Sequence, residues 1–263
     1  MLPFLHTQSL DAIPSIVHGF FTREGGVSAG DLATANFARR AQESDKNLSE
    51  NYRRLLISLG ANVDRLCMVR QDHTADVVCV REFPQERGDH PLILGKADAL
   101  ITTVPGVAVG ILTADCLPIL ISDTHGTVVA AIHAGWRGAL RGIIAQTIAQ
   151  LRQISPGSTF VAALGPCLQQ QNFAFGEDCM KELTDRYTIA CGYFLRFKEK
   201  YYFNLEGFAR WLLVDAGVHD ISAHSLDTYS NARRFFSYRR CRHNGDETYG
   251  CQISAIGIKR PSK

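Results

Sequence analysis

The sequence predicts a mixed α/β fold, of class α/β or α+β, in one domain that covers residues 1–263. Two observations carry this prediction: short β-branched apolar runs separated by turn residues, and longer segments in which apolar residues recur at helical spacing. The two kinds of segment are mixed along the chain, and no internal repeat or Pro/Ser-rich linker divides it. With 263 residues, 46% of them hydrophobic, the chain can bury a sizeable core.

Three segments have the features of helices. Residues 48–59 are followed by Gly60, which is typical of a helix C-terminus. Residues 205–215 form a second predicted helix. Residues 138–153 are predicted to form one amphipathic helix. Its apolar positions are Leu140, Ile143, Ile144, Ile148 and Leu151.

The predicted strands are apolar, rich in β-branched residues and separated by turn residues. They cover residues 97–103, 107–112, 118–122, 127–133, 159–164 and 253–258, with a turn at 123–126. The pattern does not give the order of these strands in a sheet.

Charge and composition argue against several functional classes. The formal net charge is +2 and the pI is near 8.1, so neither a nucleic acid nor an anionic membrane is expected as a partner. We find no signal peptide and no run of the roughly 18 apolar residues that a membrane helix needs. Eight cysteines occur without a CxxC pair, which favours free thiols. We therefore expect a cytoplasmic protein, of an oligomeric state that the sequence leaves open.

Three short segments each end a predicted apolar strand with a side chain that can bind a metal. These side chains are His73, Cys116 and His133. Strand ends converge on clefts in sheet folds, so the three can meet although they are distant in sequence. Two imidazoles and a thiolate suit zinc, and three protein ligands leave a fourth position open for water or substrate.

Other interpretations of these residues stay open. Cys116 could be a nucleophile with His133 as its base, as in cysteine hydrolases. A buried cysteine is also commonly a small core residue, and a histidine after a strand is commonly only hydrogen-bonded. The spacing is not that of a zinc finger, so spacing alone does not decide among these interpretations.

Two glycine-containing turns carry arginines that could bind an anion. Arg137 lies in the segment 135–138 at a predicted strand-to-helix junction, and Arg23 lies in the segment 22–28, which is not a P-loop. Either arginine could instead lie on the surface of a simple turn. Residues 233–240 mix arginines with aromatic residues, as single-strand nucleic-acid binders do. Packed aromatics with solvated arginines fit a near-neutral chain better.

Several motifs occur together and in order over nearly the whole chain. They are HGFFTREGGVS (18–28), the Gln71/His73 segment, ADALIT (97–102), TADCLPIL (113–120), HAGWRG (133–138), LGPC (164–167) and FFSYRR (235–240). In this combination the chain resembles the YfiH-like laccase-domain family, also called multicopper polyphenol oxidase-like proteins. The resemblance implies a mixed α/β sandwich with central sheets and helices outside, and a metal, usually zinc, bound by His73, Cys116 and His133.

The resemblance also implies purine nucleoside chemistry. Its members are associated with phosphorolysis of adenosine, inosine, guanosine and methylthioadenosine, with deamination of adenosine, or in some bacteria with peptidoglycan editing. A copper-dependent polyphenol oxidase is an alternative, although nine histidines are few for a multicopper cluster. The chain departs from the family pattern at Thr74, Asp227 and Ala174, which bears on substrate preference and leaves the metal donors intact.

The expected reactions require roles that we assign to single residues. Phosphorolysis needs cationic groups for the phosphate that attacks the ribose, and we expect Arg137 and Arg23 to supply them. Asp98 or Asp115 would carry protons. One zinc ion per chain would orient phosphate or polarise a substrate oxygen, and would activate water for deamination. Copper is the alternative metal, and a Cys116/His133 amide hydrolase would need no metal.

Overall fold

The computed structural model describes residues 1–85 and 90–261. Within these residues the chain forms two six-stranded sheets, a three-stranded sheet and seven α-helices. The predicted mixed α/β class is confirmed. No helix in the described part of the chain combines the length and the apolar character needed to cross a bilayer.

The strands are β1 (Phe4–Leu5), β2 (Ile16–Phe21), β3 (Arg65–Arg70), β4 (Val77–Val80), β5 (Leu92–Lys96), β6 (Ala99–Thr102), β7 (Val107–Thr113), β8 (Leu117–Asp123), β9 (Val129–Ala134), β10 (Phe160–Leu164), β11 (Ala174–Phe175), β12 (Phe194–Phe197), β13 (Lys200–Phe203), β14 (Asp220–Ala223) and β15 (Gln252–Ile258). The α-helices are α1 (Gln8–Asp11), α2 (Asp45–Leu59), α3 (Trp136–Arg141), α4 (Ile143–Ile154), α5 (Glu177–Arg186), α6 (Leu205–Asp215) and α7 (Tyr238–Asn244). Short 3-10 helices cover Gly30–Leu32, Gln170–Asn172 and Thr188–Tyr193.

The two larger sheets pack face to face because their central strands carry apolar side chains on the facing sides. The first has the order β1-β2-β15-β7-β3-β5, and the second has the order β14-β10-β8-β9-β6-β4. On β9, Val129 and Ala131 pack into the core between the sheets, whereas Ala130 and Ile132 pack with α4 and α6. Helix α2 covers the outer face of the first sheet. The predicted sandwich with helices outside is therefore confirmed.

Strand pairing brings the predicted site residues to one end of the second sheet. Strands β8 and β9 are antiparallel with Pro118 opposite His133, so Cys116, just before β8, lies near His133. Strand β6 pairs with the other side of β9, and the backbone N–H of His133 donates to the Asp98 carbonyl at 2.8 Å. His73 lies on the connection from β3 in the first sheet to β4 in the second.

Most predicted elements are present, and one is wrong. Helix α6 covers the predicted residues, and α2 begins earlier than predicted because the Ser44 side chain caps it, accepting from the Asn47 N–H at 3.1 Å. The single helix predicted for 138–153 is two helices, α3 and α4, separated at Gly142. This residue has φ +93°, a left-handed conformation that glycine adopts without steric cost. The apolar spacing continues across the break because both helices pack in one core.

A buried histidine on β2 makes the fold sensitive to acid. His18 is 4% exposed, and its Nε2 accepts a hydrogen bond from the Thr7 backbone N–H at 2.9 Å. Its Nδ1 faces Asp11 Oδ1 at 3.6 Å. Burial lowers the pKa of His18 to about 4; Asp11 opposes this shift, while His6 and His224 add to it. The folded protein therefore holds this imidazole neutral where the unfolded chain would protonate it.

We expect His18 to cost the protein stability as the pH falls from about 6.5 to about 4. Over that interval His18 is protonated in the unfolded state but stays neutral in the folded state. This difference lowers the free energy of unfolding by up to about 3 kcal/mol. Urea unfolding of the wild type and of His18→Gln at neutral pH and at about pH 5 measures this, and the variant should lose less stability on acidification. His125→Gln, at an exposed position, is the control. Equal pH dependence in wild type and His18→Gln would contradict the assignment.

Candidate metal centre

The three predicted donors meet at one end of the second sheet. The donor atoms of His73, Cys116 and His133 all lie within 4.8 Å of one another. The two imidazole rings are 4.8 Å apart between centroids, at 63°. Side chains separated by up to sixty residues are thus within the reach of one metal ion.

The His73 segment is held in a strained backbone conformation. His73 has φ +55°, which residues other than glycine rarely adopt. The Asp98 carboxylate accepts hydrogen bonds from the backbone N–H groups of Asp72, His73 and Thr74 at 3.2, 3.1 and 2.6 Å. On the other side, Arg141 donates to the His73 carbonyl at 2.7 Å. These contacts stabilise the conformation that presents the His73 imidazole.

The same carboxylate orients His133. His133 Nδ1 lies 2.7 Å from Asp98 Oδ1, which leaves Nε2 for a ligand. Burial would lower the pKa of His133, but Cys116 and Asp98 raise it to about 9. Burial would likewise raise the pKa of Asp98, yet the hydrogen bonds from His133 and Thr74 bring it down to about 2. Asp98 is therefore an anion that links both histidines.

The donor set fits a divalent transition metal. His73 Nδ1 is buried and has no hydrogen-bond partner in the described part of the chain, as expected for a nitrogen reserved for a ligand. Gly135 leaves the space for these donors, because a Cβ at this position would lie 2.5 Å from His73 Nδ1 and 3.0 Å from Cys116 Sγ. Two imidazoles and a thiol are ligands that zinc takes, whereas magnesium and calcium prefer oxygen.

Asp115 anchors the turn that carries Cys116. Its Oδ1 accepts from the Thr228 hydroxyl and its Oδ2 from the Arg239 backbone N–H, both at 2.6 Å. Burial raises the pKa of Asp115, and these hydrogen bonds act in the opposite direction. Asp115 also has φ +93°, so the donor turn depends on the segment 228–239 for its shape. Proton transfer by Asp98 or Asp115 stays a prediction, while their contacts show how each positions a metal donor.

The donors open onto a cavity of about 1130 Å³ with a cationic lining. Among the described residues that line it, five are arginines and the single acidic residue is the buried Asp115. The arginines are Arg39, Arg40, Arg70, Arg137 and Arg239. Such a lining attracts an anionic substrate or co-substrate.

Two of these arginines have free guanidinium groups within residues 1–85 and 90–261. Arg137 is exposed and stacks over the Trp136 ring at 4.4 Å, and Arg70 is exposed at the end of β3. By contrast, Arg40 donates to the Tyr249 carbonyl at 2.9 Å, and Arg239 donates to carbonyl oxygens at 3.0 and 3.1 Å. Arg70 directly precedes the Gln71/His73 segment, but the sequence assigned no role to it.

The structure does not bring Arg23 to this cavity. Its Nε donates to the Ala33 carbonyl at 2.7 Å, and its guanidinium lies 4.2 Å over the Phe236 ring. Arg23 is not among the described residues that line the cavity. Its predicted phosphate-binding role stays a prediction without a contact to support it.

The departures from the family pattern have structural consequences. Thr74 donates from its hydroxyl to Asp98 at 3.0 Å, which adds to the bonds on that carboxylate. Asp227 accepts from Gln169, Asn172 and Ser230 and so holds together the segments behind the donor turn. The Ala174 carbonyl accepts from Arg239. These residues support the site without contributing a metal donor.

Comparison with known proteins places these features in a family. A family model described as multi-copper polyphenol oxidoreductase laccase matches residues 17–259. A purine nucleoside phosphorylase of Deinococcus radiodurans is 34% identical over 260 residues, covering 98% of this chain and 94% of that protein. The purine nucleoside phosphorylase YfiH of Escherichia coli is 30% identical over 90% of this chain and 91% of its own length.

Solved structures show the same fold. The hypothetical protein YfiH of Bacillus licheniformis has a TM-score of 0.82 at 25% identity, covering 94% of both chains. YlmD of Geobacillus stearothermophilus has a TM-score of 0.86 at 24% identity, covering 99% of this chain and 100% of its own.

Gly135→Ala should weaken metal binding while leaving the fold intact. The new methyl group would displace His73 Nδ1 or Cys116 Sγ, and disturbing the support of a metal ligand typically lowers affinity about 10–100-fold. Zinc affinity measured by competition with a chromophoric chelator tests this. Gly176→Ala is a matched control, since both glycines precede a helix with extended backbone and a Cβ at Gly176 meets nothing within 4 Å. Unchanged zinc affinity in Gly135→Ala would contradict the proposed donor packing.

Proposed function

This chain belongs to the multi-copper polyphenol oxidoreductase laccase family, and we propose that it is a zinc-dependent purine nucleoside phosphorylase. Its substrates would be adenosine, inosine, guanosine and methylthioadenosine, each cleaved by phosphate to the free purine and a sugar 1-phosphate. The observation that carries this proposal is the set of three metal donors opening onto a cavity with a cationic lining. The names of the Deinococcus and Escherichia relatives support the same reaction class.

In this proposal the free arginines bind phosphate. A guanidinium offers a planar pair of N–H donors that matches two phosphate oxygens. Arg137 follows the Gly135–Trp136 turn beside the donors, and its stacking on Trp136 restricts its side chain. Arg70 lies on the same cavity and lacks a competing partner in the described residues. Together they would hold the nucleophile and balance its charge.

In the same proposal, the metal donors and the two aspartates that position them have different roles. Zinc held by His73, Cys116 and His133 would supply Lewis acidity toward an oxygen of phosphate or substrate. The contact between Asp98 and His133 Nδ1 leaves Nε2 for the metal, and Asp98 also holds the His73 segment in place. Asp115 keeps Cys116 in position through Thr228 and Arg239. Adenosine deamination belongs to the proposal as a second activity, because zinc deaminases use related His/Cys donor sets.

A cysteine hydrolase is the second candidate, and one observation favours it. Asp98, His133 and Cys116 form a chain of carboxylate, imidazole and thiol, as nucleophilic triads do. Such an enzyme would cleave an amide bond, as in peptidoglycan editing, and would not need a metal. Copper-dependent phenol oxidation has less support. Within the described residues the structure gathers only one group of three metal donors, whereas a multicopper cluster needs several.

Other expectations from the sequence accompany the proposal. They are a single domain over residues 1–263, a cytoplasmic location, small-molecule substrates and no nucleic-acid partner. The names of the relatives support small-molecule substrates, and the other three expectations stay predictions.

The first test combines metal analysis with turnover. Protein purified without added metal should contain about one zinc per chain and release adenine from adenosine only when phosphate is present. His73→Ala should lose both the zinc and the activity, whereas His125→Ala, at an exposed position, should keep both. Amide hydrolysis that survives a chelator and disappears in Cys116→Ser would favour the cysteine hydrolase. More than one copper per chain with oxygen consumption on phenols would favour the oxidase.

A second test concerns phosphate. Arg137→Gln and Arg70→Gln should each raise the KM for phosphate by about tenfold or more, because a hydrogen bond to a charged group contributes about 1.5–3 kcal/mol. The KM for the nucleoside should change little. Arg196→Gln is the control, since Arg196 is exposed on β12 and does not line the cavity. A KM for phosphate that neither substitution alters would remove both arginines from the phosphate site.

A further inference from the structure

Some residues of the aromatic and basic segment 233–240 are buried, and others face the cavity. Phe235 and Phe236 lie in the protein interior. The Arg240 guanidinium donates to the carbonyl oxygens of Thr228, Tyr229 and Phe235. Tyr238 differs from them because it is 47% exposed and lines the cavity. Of the three aromatic residues in this segment, Tyr238 is therefore the one that can contact a molecule bound in the cavity.

The other aromatic residues of the described lining have less free surface. Phe37 and Tyr52 are buried and pack on each other at 5.3 Å. The guanidinium of Arg137 covers Trp136 at 4.4 Å, and that of Arg40 covers Tyr249 at 4.5 Å.

Phe173 is held within an aromatic cluster. Phe175 and Phe203 contact it edge-on, at 5.6 and 5.9 Å between ring centroids. Tyr238 has one aromatic neighbour in the described chain, Tyr249, in a T-shaped contact at 5.1 Å. No arginine or lysine of the described chain lies over the Tyr238 ring.

The backbone of Tyr238 is fixed on both sides. Ser237 caps α7 by accepting from the Arg240 N–H at 3.1 Å. The next residue, Arg239, donates its backbone N–H to Asp115 Oδ2 at 2.6 Å. Asp115 directly precedes Cys116, a metal donor. One hydrogen bond and a few covalent bonds thus set the position of the Tyr238 backbone relative to the metal centre.

The geometry points to Tyr238 as the residue on which the purine ring of the substrate stacks. This inference rests on the proposed function, since it assigns the base-binding half of the same cavity. A purine offers a large flat π-face, and an exposed tyrosine ring on a rigid backbone can bind it at a low cost in side-chain entropy. The cationic groups near the donors hold the phosphate, and Tyr238 sets where the base lies. Tyr238 is a binding residue that determines specificity for flat aromatic bases.

Kinetics of the zinc-loaded enzyme test this assignment. Tyr238→Ala should raise the KM for inosine by about tenfold, in keeping with measured losses of base stacking, and leave the KM for phosphate within about twofold. Tyr238→Phe keeps the ring and should keep the KM for inosine within about twofold of wild type. Calorimetric titration with hypoxanthine, the free base, should show the same order of affinities without turnover. Phe197→Ala is the control, as this 59% exposed aromatic lies on β12 away from the cavity.

The outcomes separate this inference from the proposed function. A wild type that cleaves inosine with phosphate, together with an unchanged KM and hypoxanthine affinity in Tyr238→Ala, overturns the stacking role alone. A wild type that neither cleaves inosine nor binds hypoxanthine overturns both. Equal losses in Tyr238→Phe and Tyr238→Ala would mean that the hydroxyl, and not the ring, makes the contact. A lowered melting temperature in step with the lost affinity would mean that the ring acts through the fold. Either result would also overturn the stacking role.

Discussion

The buried carboxylate of Asp98 connects the two histidines of the candidate metal centre. It accepts from three consecutive backbone N–H groups around His73 and from the imidazole of His133. These N–H groups are partly buried, so each of them stabilises the arrangement by donating to the carboxylate instead of being left without an acceptor. The left-handed conformation of His73 and the orientation of the His133 ring both depend on this one anion, which therefore sets the geometry of the donors.

The layered architecture explains why such a centre forms at this end of the sheet. Antiparallel pairing of β8 with β9 places the Cys116 turn beside His133, and pairing of β6 with β9 places Asp98 next to the same residue. The connection from β3 in the first sheet to β4 in the second sheet contains His73. Strands β6, β8 and β9 are buried along their whole length, so a change in their register would remove closely packed side chains from their contacts. Packing of the core therefore fixes the distances between the donors.

The cavity concentrates positive charge in a nearly neutral protein. The chain has a formal net charge of only +2, yet its described cavity lining carries five arginines against one buried acid. Three of these arginines have hydrogen-bond partners. Arg39 donates to Asp45, whereas Arg40 and Arg239 donate to backbone carbonyls. These three contribute to the shape of the site as well as to its electrostatic potential. Arg70 and Arg137 have no such partner in the described part of the chain. This division into structural and free guanidinium groups supports the proposed phosphate-dependent reaction.

The sequence by itself determined the mixed α/β class, the helix at 205–215 and most core strands, because periodicity is a local property of the chain. Its motifs also predicted the three candidate metal donors, which the structure brings together. It also identified Asp98 and Asp115, whose contacts place both beside the donors. Tertiary structure alone decided the break at Gly142, since one continuous apolar stripe fits one helix or two. It also decided the three-stranded sheet of β11–β13, whose short strands have little pattern. The position of Arg23 outside the cavity and of Arg70 and Tyr238 within it depends on which distant segments pack together, and such long-range contacts leave no local signal in the sequence.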